Sequence, residues 1–491
     1  MRTKNGQARR TRLPVVKWRE CQRPDGFTAW LQLLHSYTKR LHIHGLNQLL
    51  LPTMRRRMRL LWCLALVCAG TVLISVCYLL AERYQRKHFR TIIANAHAPM
   101  YHIAFPVVIV CNKNRLNWSR LKEISQKYNI TGAHQPLFER VLTAYDALSF
   151  RHFHVFDKLS NDTLHSLNHL NFTEIVSELA WRCDEIMLEC IWQMKPRDCC
   201  KLFRPRRQPQ GMCLAFNELE QRHIGDSGIG TGLIVRLLLR QESHAPNNYR
   251  PKGFVLNILQ SSVWSGYPIE LLPESTTRTN IGVSAVLHYF DENTFDLPIH
   301  WRRCIRDYER NSPEFRTLLG HKYMLENCIA ECYQLYMLRY CNCTLDLFYP
   351  PSNYPPCRLV DLPCLAAHNG VLQNYEEVGE RPYVHSSRPG MVCECMHNCH
   401  SLELLTDLRK SVLMPWQFSN TTKAITFNIY YNRDEMLIYK TGLIYTWVDL
   451  LVSFGSICQL CLGCSLISLI ELCYFGIIAV PRLCWQHQCL S

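Results

Sequence analysis

Two long apolar runs, near opposite ends of the 491-residue chain, constrain its fold more than any other feature. The run Leu60–Ala81 has 22 residues without a charge, and the run Leu450–Ile470 has 21. A helix of about 20 apolar residues crosses the hydrocarbon core of a bilayer, which is roughly 30 Å thick. The first run starts too far along the chain, and is too long, for a cleaved signal peptide. The sequence therefore predicts two membrane-spanning helices.

Small and polar residues interrupt the second run. Gly463, Cys464 and Ser465 break its apolar pattern, while Asp449 and Glu471 bracket it. Lipid satisfies no exposed backbone groups, so such breaks usually occur where the backbone lines protein or water. Ionisable residues at membrane depth also usually face a bundle interior or water, although Asp449 equally suits the membrane surface. We expect this span to line a water-filled pathway whose acidic groups favour cations.

The segment between the two runs has the signals of an extracellular domain. Six N-glycosylation sequons lie there and none lies in either tail, which favours an outer location for this segment. The acceptor residues are Asn117, Asn129, Asn161, Asn171, Asn342 and Asn420. Residues 1–59 carry 14 Lys and Arg against two acidic residues. A basic tail beside a membrane helix indicates a cytoplasmic flank rather than nucleic-acid binding. We expect both termini in the cytoplasm.

Sixteen of the 26 cysteines also lie between the runs, an even and dense set that predicts a disulfide framework in an oxidising compartment. They are Cys111, Cys183, Cys190, Cys199, Cys200, Cys213, Cys304, Cys328, Cys332, Cys341, Cys343, Cys357, Cys364, Cys393, Cys395 and Cys399. Their pairing is left open. The motif Cys393–His400 has zinc-ligand residue types, but disulfides are favoured over zinc outside the cell. In the second run, Cys458, Cys461 and Cys464 share a helix face, as small buried residues or as thiols facing the pathway.

The chain is expected to be an α+β membrane protein with five segments: a basic tail (1–59), a first span (60–81), a cysteine-rich outer domain (82–446), a second span (447–479) and a short tail (480–491). Runs rich in β-branched residues predict strands at 105–112, 253–260 and 281–290, and one strand or a pair within 427–440. Apolar spacing predicts helices within 134–195 and over 315–340.

No enzymatic, cofactor or metal site is expected. Gly225–Gly228 matches the tetrad around a protease nucleophile, but no companion histidine signature precedes it, and that chemistry requires one. Its glycines are also too weak a signal for a phosphate-binding loop. Arg204–Arg207 matches a minimal furin-type cleavage signal, with a solvated basic turn as the alternative.

Taken together, five segments in order resemble the degenerin/epithelial sodium channel family, with the best fit to its insect pickpocket branch. They are an inner dipeptide, a strand after the first span, a GxCxxFN segment, a cysteine-rich region and a GxS break. The corresponding residues are His44-Gly45, Phe105–Asn112, Gly211–Asn217, Arg303–Cys399 and Gly463–Ser465.

The resemblance implies a trimeric, sodium-selective channel of the plasma membrane, often blocked by amiloride, with a hand-like ectodomain of the acid-sensing-channel type. It implies Na⁺ as the permeant ion and a homotrimer or a heterotrimer with other family subunits. Gly463, Cys464 and Ser465 would form the narrowest ring, and His44 and Gly45 would influence gating.

Two positions depart from the family pattern. Val452 stands where the family usually has a small residue, and bulk there tends to hold such channels open. Gln459 stands where the family often has Gly or Ser in its blocker site. Two alternatives stay open: a trimeric ATP-gated channel, and a non-conducting accessory or receptor subunit.

Overall fold

The structure, a computed structural model of the chain, describes residues 49, 54–157, 159, 164–246, 252–274, 276–376, 390–413, 424–474 and 477–478. The chain divides into two compact units. One comprises Met1–His88 with Leu443–Ser491, and the other comprises Phe89–Gly442. The first unit contains both apolar runs, and the second contains every sequon and all sixteen cysteines between the runs.

The described residues form the following elements. The helices are α1 (Arg56–Gln85), α2 (Leu121–Lys127), α3 (His134–Ala147), α4 (Phe172–Leu179), α5 (Cys183–Ile186), α6 (Cys199–Leu202), α7 (Ile299–Arg302), α8 (Leu325–Cys341), α9 (Leu362–Ala367), α10 (Asn369–Leu372), α11 (Trp447–Leu462) and α12 (Leu466–Tyr474). The strands are β1 (Phe89–Pro99), β2 (Val107–Asn112), β3 (Met187–Trp192), β4 (Lys195–Arg197), β5 (Phe203–Gln208), β6 (Gly211–Phe216), β7 (Leu233–Leu238), β8 (Phe254–Leu259), β9 (Ile269–Leu271), β10 (Thr277–Phe290), β11 (Cys304–Ile305), β12 (Tyr375–Glu376), β13 (Met391–Val392), β14 (His397–Asn398), β15 (His400–Val412), β16 (Ala424–Tyr431) and β17 (Glu435–Leu443).

In the first unit, α1 is the one helix of the described chain that is long and apolar enough to cross a membrane. Its 30 residues extend about 45 Å. None of these residues is buried, and many large apolar side chains are exposed, which in water would be costly. The second apolar run instead forms two shorter helices, α11 with 16 residues and α12 with nine. The second membrane span therefore stays a prediction, and it requires α11 and α12 to cross the membrane together.

In the second unit, the larger sheet has eight strands built around the long strand β10. Along one edge β10 pairs with β15, antiparallel, from Thr277 to Tyr289. Along the other edge it pairs in succession with β16 and β17, both parallel. The strand order is β1-β17-β10-β16-β7-β3-β4, with β15 beside β10. A second sheet has the order β5-β6-β2-β8-β9 and is antiparallel.

The main core lies between apolar residues of the two sheets. Val108 and Phe216 of the smaller sheet cluster with Phe427 of the larger one. Phe105, just before β2, contacts three rings edge-on, including Trp192 at a centroid distance of 5.0 Å and Tyr431 at 5.5 Å. Each such pair contributes roughly 0.5–1.5 kcal/mol beyond the area it buries. A separate core packs α3, α4 and α8 with the loop around residues 345–349.

Eight disulfides join all sixteen cysteines of the outer segment, so the predicted framework is present. The pairs are Cys111–Cys213, Cys183–Cys200, Cys190–Cys199, Cys304–Cys399, Cys328–Cys395, Cys332–Cys393, Cys341–Cys364 and Cys343–Cys357. Three of them attach the Cys393–Cys399 segment to α8 and β11. The cysteines there are held in S–S bonds, which agrees with disulfides rather than zinc.

Several predicted elements are confirmed and two are wrong in extent. The strands predicted at 105–112, 253–260 and 281–290 are present, and 427–440 forms a pair. The helical region expected within 134–195 ends at Ile186, because residues from Met187 form β3 between β4 and β7. A short apolar run fits helix or strand equally well, and here pairing with β7 decides. The helix expected from Phe315 begins only at Leu325. Gly320, at a φ of 77°, turns the chain before it.

The basic segment Arg204–Arg207 is neither a solvated turn nor an exposed loop. It lies in β5, where every residue is opposite a residue of β6. The Arg206 side chain is buried and donates to the carbonyl oxygen of Val263 at 2.9 Å. A processing protease binds its substrate as an accessible extended segment, so this strand argues against cleavage in the folded protein.

The first sequon is a correction to the predicted glycosylation sites. Asn117 is only 3% exposed. Its amide nitrogen donates to Glu185 at 3.0 Å, and its carbonyl oxygen accepts from the Ser119 hydroxyl at 2.6 Å. No glycan fits on this amide in the folded protein.

The other described sequons suit glycan attachment. Asn129, Asn171 and Asn342 are exposed. Asn129 and Asn342 have a positive φ of 54° at the ends of helical segments, a position that asparagine tolerates well. The remaining predicted sites, Asn161 and Asn420, lie outside the described residues.

Candidate functional site

The second apolar run begins with a helix cap that contains Asp449. The Thr446 hydroxyl accepts a hydrogen bond from the Asp449 backbone N–H at 3.3 Å, and the Asp449 carboxylate accepts from the Thr446 N–H at 2.9 Å. This reciprocal pair is a capping box, which fixes the first turn of α11. The carboxylate predicted to line the pathway thus also starts the helix. The spacing Thr-x-x-Asp is a sequence signal that could have identified this second role.

Tyr445, which the sequence analysis does not identify, stabilises the first turns of α11. Its hydroxyl lies 2.6 Å from Ser453 Oγ and 3.1 Å from the Asp449 carbonyl oxygen. The guanidinium of Arg83, near the end of α1, lies 5.5 Å from the Tyr445 ring centroid. A cation at this distance from an aromatic face is attracted to it. These contacts hold the adjoining ends of α1 and α11 together within the first unit.

The predicted break is present at Gly463–Ser465. Helix α11 ends at Leu462, and Gly463 adopts the left-handed conformation with φ 67°. Its N–H donates to the Gln459 carbonyl oxygen at 2.9 Å, so the helix has a left-handed C-cap of the kind that glycine favours. Ser465 directly precedes α12, and its hydroxyl accepts from the Ser468 N–H at 3.3 Å. The backbone between the helices cannot complete the intrahelical ladder there.

Three residues predicted to act on permeation, gating or block lie along one side of α11, together with Ser456, for which the sequence analysis makes no prediction. Asp449, Val452, Ser456 and Gln459 follow the 3-4-3 spacing of a single helix face, and all four are exposed. We call these four residues the exposed stripe. Gly463, four residues after Gln459, continues the spacing at the C-cap.

The opposite side of α11 is covered by α1. The two helices pack against each other, and Ser453, Ile457 and Cys461 on that side are half-buried. The packing therefore leaves the exposed stripe without a partner within the described part of the chain.

The other predicted site residues are distributed differently. Glu471 lies half-buried on α12, in a different helix from Asp449. Cys458, Cys461 and Cys464 are unpaired and half-buried, closer to the side that packs on α1 than to the exposed stripe. The dipeptide His44-Gly45 lies outside the described residues.

One group of metal-ligand residue types comes together in the described part of the outer domain, namely Cys341, Cys364 and His368. Its two cysteines are joined to each other in a disulfide. Metal binding needs thiolates, so the disulfide removes two of the three ligands.

Comparison with known proteins assigns the broken helix and the disulfide-rich domain to a family. A family profile described as amiloride-sensitive sodium channel matches residues 37–475. The chain belongs to this family. The match extends from the tail before α1 to the end of α12, so it includes both apolar runs and the whole disulfide-rich unit.

Individual relatives from insects and vertebrates match over most of the chain. Pickpocket protein 19 of Drosophila melanogaster is 29% identical over 479 residues, which cover 92% of this chain and 91% of the relative. Sodium channel protein Nach of Drosophila ananassae is 24% identical over 88% of this chain and 84% of its own length. Acid-sensing ion channel 2 of Danio rerio is 23% identical over 75% and 69%. The resemblance drawn from the sequence motifs is confirmed.

Proposed function

We propose that this chain is a subunit of a sodium-selective cation channel of the plasma membrane. Residues 60–81 and 447–479 would span the membrane, residues 82–446 would lie outside, and 1–59 and 480–491 would face the cytoplasm. Three subunits, identical or from related family members, would surround one pathway. Membership of the amiloride-sensitive sodium channel family supports this proposal, as do relatives named as sodium channels.

One observation supports the proposal most strongly. The second apolar run is broken at Gly463, and Gly463 continues the helix face that the exposed stripe occupies. The C-terminal end of a helix carries a partial negative charge and carbonyl oxygens without intrahelical partners. At Gly463 these oxygens end α11, and oxygen dipoles can replace part of the hydration shell of a cation. Gly463, Cys464 and Ser465 would form the selective ring, with Asp449 on the outer side and Glu471 on the inner side.

The two positions that depart from the family pattern would tune this channel. Val452 is 62% exposed on the stripe, where its bulk would oppose close approach of neighbouring subunits and favour the open state. Gln459 is exposed one turn before the break, where its side chain would weaken block by amiloride. His44 and Gly45 would influence gating from the cytoplasmic side.

Gating through the outer domain is supported by the strands that continue into the helices. Three residues separate the end of α1 from β1, and three separate the end of β17 from α11. These strands are neighbours in the large sheet. Thr91 and Thr441 hydroxyls lie 2.9 Å apart, and His97 Nδ1 lies 2.6 Å from Glu435 Oε2. A change in this strand pair would therefore act on both chain connections to the membrane segments.

The test is a recording of current carried by this chain, alone and with family partners, before and after sodium is replaced by a large organic cation. We expect a sodium-dependent current that Gly463→Arg abolishes while surface biotinylation stays unchanged. The matched control is Gly370→Arg, because Gly370 has open space around it in the outer domain. A normal current from a Gly463→Arg subunit contradicts the pore assignment. If the chain reaches the cell surface but Gly463→Arg changes no current, either alone or with family partners, the chain is a non-conducting accessory subunit.

A further inference from the structure

A cavity of about 290 Å³ lies in the outer domain, and all the residues that line it belong to the second unit. The end of β2, the loop after α3, the turn between β5 and β6, and strands β8 and β9 all contribute to its wall. Its volume is at the lower end of the range for small-molecule sites. No step of the proposed ion pathway uses it.

Three buried side chains with hydrogen-bond donor groups line this cavity: Asn112, Lys113 and Arg115. Asn112 is 5% exposed, and its amide nitrogen has no hydrogen-bond partner. A buried donor without a partner costs roughly 1–3 kcal/mol, so a ligand acceptor at this nitrogen would recover that cost. The Lys113 side chain is 8% exposed, and its ammonium lies 2.8 Å from the Glu270 carboxylate.

Arg115 fixes the cavity wall and adds a second positive charge. Its Nε and Nη1 donate to the carbonyl oxygens of Gln210 and Tyr145, each at 2.7 Å. These acceptors are neutral, so the guanidinium remains a source of positive potential. Asp146 partly balances it, although that carboxylate accepts bonds from the Arg115 and Leu116 backbone N–H groups. Arg115 therefore holds the β5–β6 turn through the Gln210 carbonyl and adds a positive charge to this side of the cavity.

The ion pair between Glu270 and Lys113 is one that a ligand carboxylate can replace. Its side chain is 63% exposed, whereas Lys113 is buried. An exposed carboxylate gains little from such a pair, because water solvates it almost as well. Another carboxylate that reached the buried ammonium and the Asn112 amide together would compete with it. Glu270 would then turn into solvent.

Most of the remaining wall is apolar, with Ser149 and Gln210 as its polar residues. Phe150, Val255, Pro209 and Pro268 line the cavity, and aromatic and apolar side chains of this kind pack on a flat organic body. The donors and this wall together fit one chemical class. We propose that the cavity binds a small organic carboxylate with a planar apolar body, whose carboxylate accepts from Asn112 Nδ2 and Lys113 Nζ in place of Glu270.

Phe150 gives such a ligand a route to the rest of the outer domain. Its ring centroid lies 5.7 Å from that of Phe348 and 6.2 Å from that of Tyr333 on α8. Close-packed rings cannot move independently. A ligand against Phe150 would therefore bias the packing of α8.

The test is calorimetric titration of the full-length protein in detergent with benzoate and, separately, with its uncharged isostere benzamide. We expect benzoate to bind at least about tenfold more tightly than benzamide, because only benzoate makes the charge-assisted bonds. Glu270→Gln should tighten benzoate binding, since it removes the competing carboxylate. Lys113→Met should weaken it by about tenfold or more. Glu274→Gln is the matched control, because this nearby acid pairs with Lys410 outside the cavity.

Equal binding of benzoate and benzamide would overturn the proposal, as would a Glu270→Gln variant that binds benzoate like the Glu274→Gln control. These two comparisons do not need the Lys113→Met variant, so they stand if that variant fails to fold. Binding is measured directly, and the result is therefore independent of whether the chain conducts ions.

Discussion

Gly463→Ala is the substitution whose effect follows most directly from the geometry of the break. Gly463 has φ 67° and donates its N–H to Gln459. A residue with a Cβ pays about 1–2 kcal/mol in this left-handed conformation. A bias of this size shifts a conformational equilibrium roughly 5- to 30-fold. The C-cap of α11 should therefore leave its native conformation in a large fraction of the subunits, and the carbonyl oxygens near it should move.

The matched control is Gly455→Ala within the same helix. An added Cβ at Gly455 has no atom within 4 Å, and alanine favours a helix interior over glycine by about 1 kcal/mol. The assay is the sodium-to-potassium permeability ratio, taken from reversal potentials in mixed solutions. We expect Gly463→Ala to lower this ratio and Gly455→Ala to leave it unchanged. Equal ratios in the two variants, at equal surface expression, would refute the argument that the left-handed glycine shapes a selective ring.

Three further predictions concern the outer domain. Asn342→Gln should remove one glycan, seen as a shift in gel mobility, because Asn342 is exposed. Asn117→Gln should remove none, and a mobility shift with that variant would contradict the buried position of Asn117. Tyr323→Phe should lower the unfolding free energy by about 1–2 kcal/mol, since the hydroxyl donates to the Met396 carbonyl oxygen at 2.6 Å and accepts from its N–H; an unchanged thermal midpoint would contradict this. Burial raises the pKa of Glu331, and the Tyr354 hydroxyl bond opposes that shift only in part. The native state thus binds this proton more tightly than the unfolded state does, so the unfolding free energy should fall as pH rises through the raised pKa. Glu331→Gln should remove that fall, and identical stability–pH curves for the wild-type protein and the variant would refute the reasoning.

The features that could be predicted from sequence are those with a local cause. The break at Gly463–Ser465 is visible because small and polar residues interrupt an apolar run, and the structure has a left-handed C-cap there. Strand β2 follows from its β-branched run and is buried throughout. The capping role of Asp449 is equally local, but the sequence analysis predicts for this acid only a pathway or a membrane-surface position.

Other features depend on residues far apart in the chain. The cavity brings Lys113 and Glu270 together across 157 positions, and neither residue has a local pattern that signals the other. Strand β3 becomes a strand because β7 pairs with it, although its sequence fits a helix. Sixteen cysteines allow a very large number of pairings, and the packing of α8 against the Cys393–Cys399 segment selects two of those observed, Cys328–Cys395 and Cys332–Cys393.

The central claim is that the exposed stripe of α11 lines the ion pathway, and thiol accessibility tests it most directly. In a chain carrying Cys458→Ser, Cys461→Ser and Cys464→Ser, cysteine is introduced at Val452, at Ser456 or at Ile457, whose side chain lies on the side covered by α1. The current is recorded while a charged, water-soluble methanethiosulfonate is applied. We expect Val452→Cys and Ser456→Cys channels to be modified rapidly and Ile457→Cys channels to be unaffected. Equal modification at Ile457, or none at Val452 and Ser456, would contradict the claim.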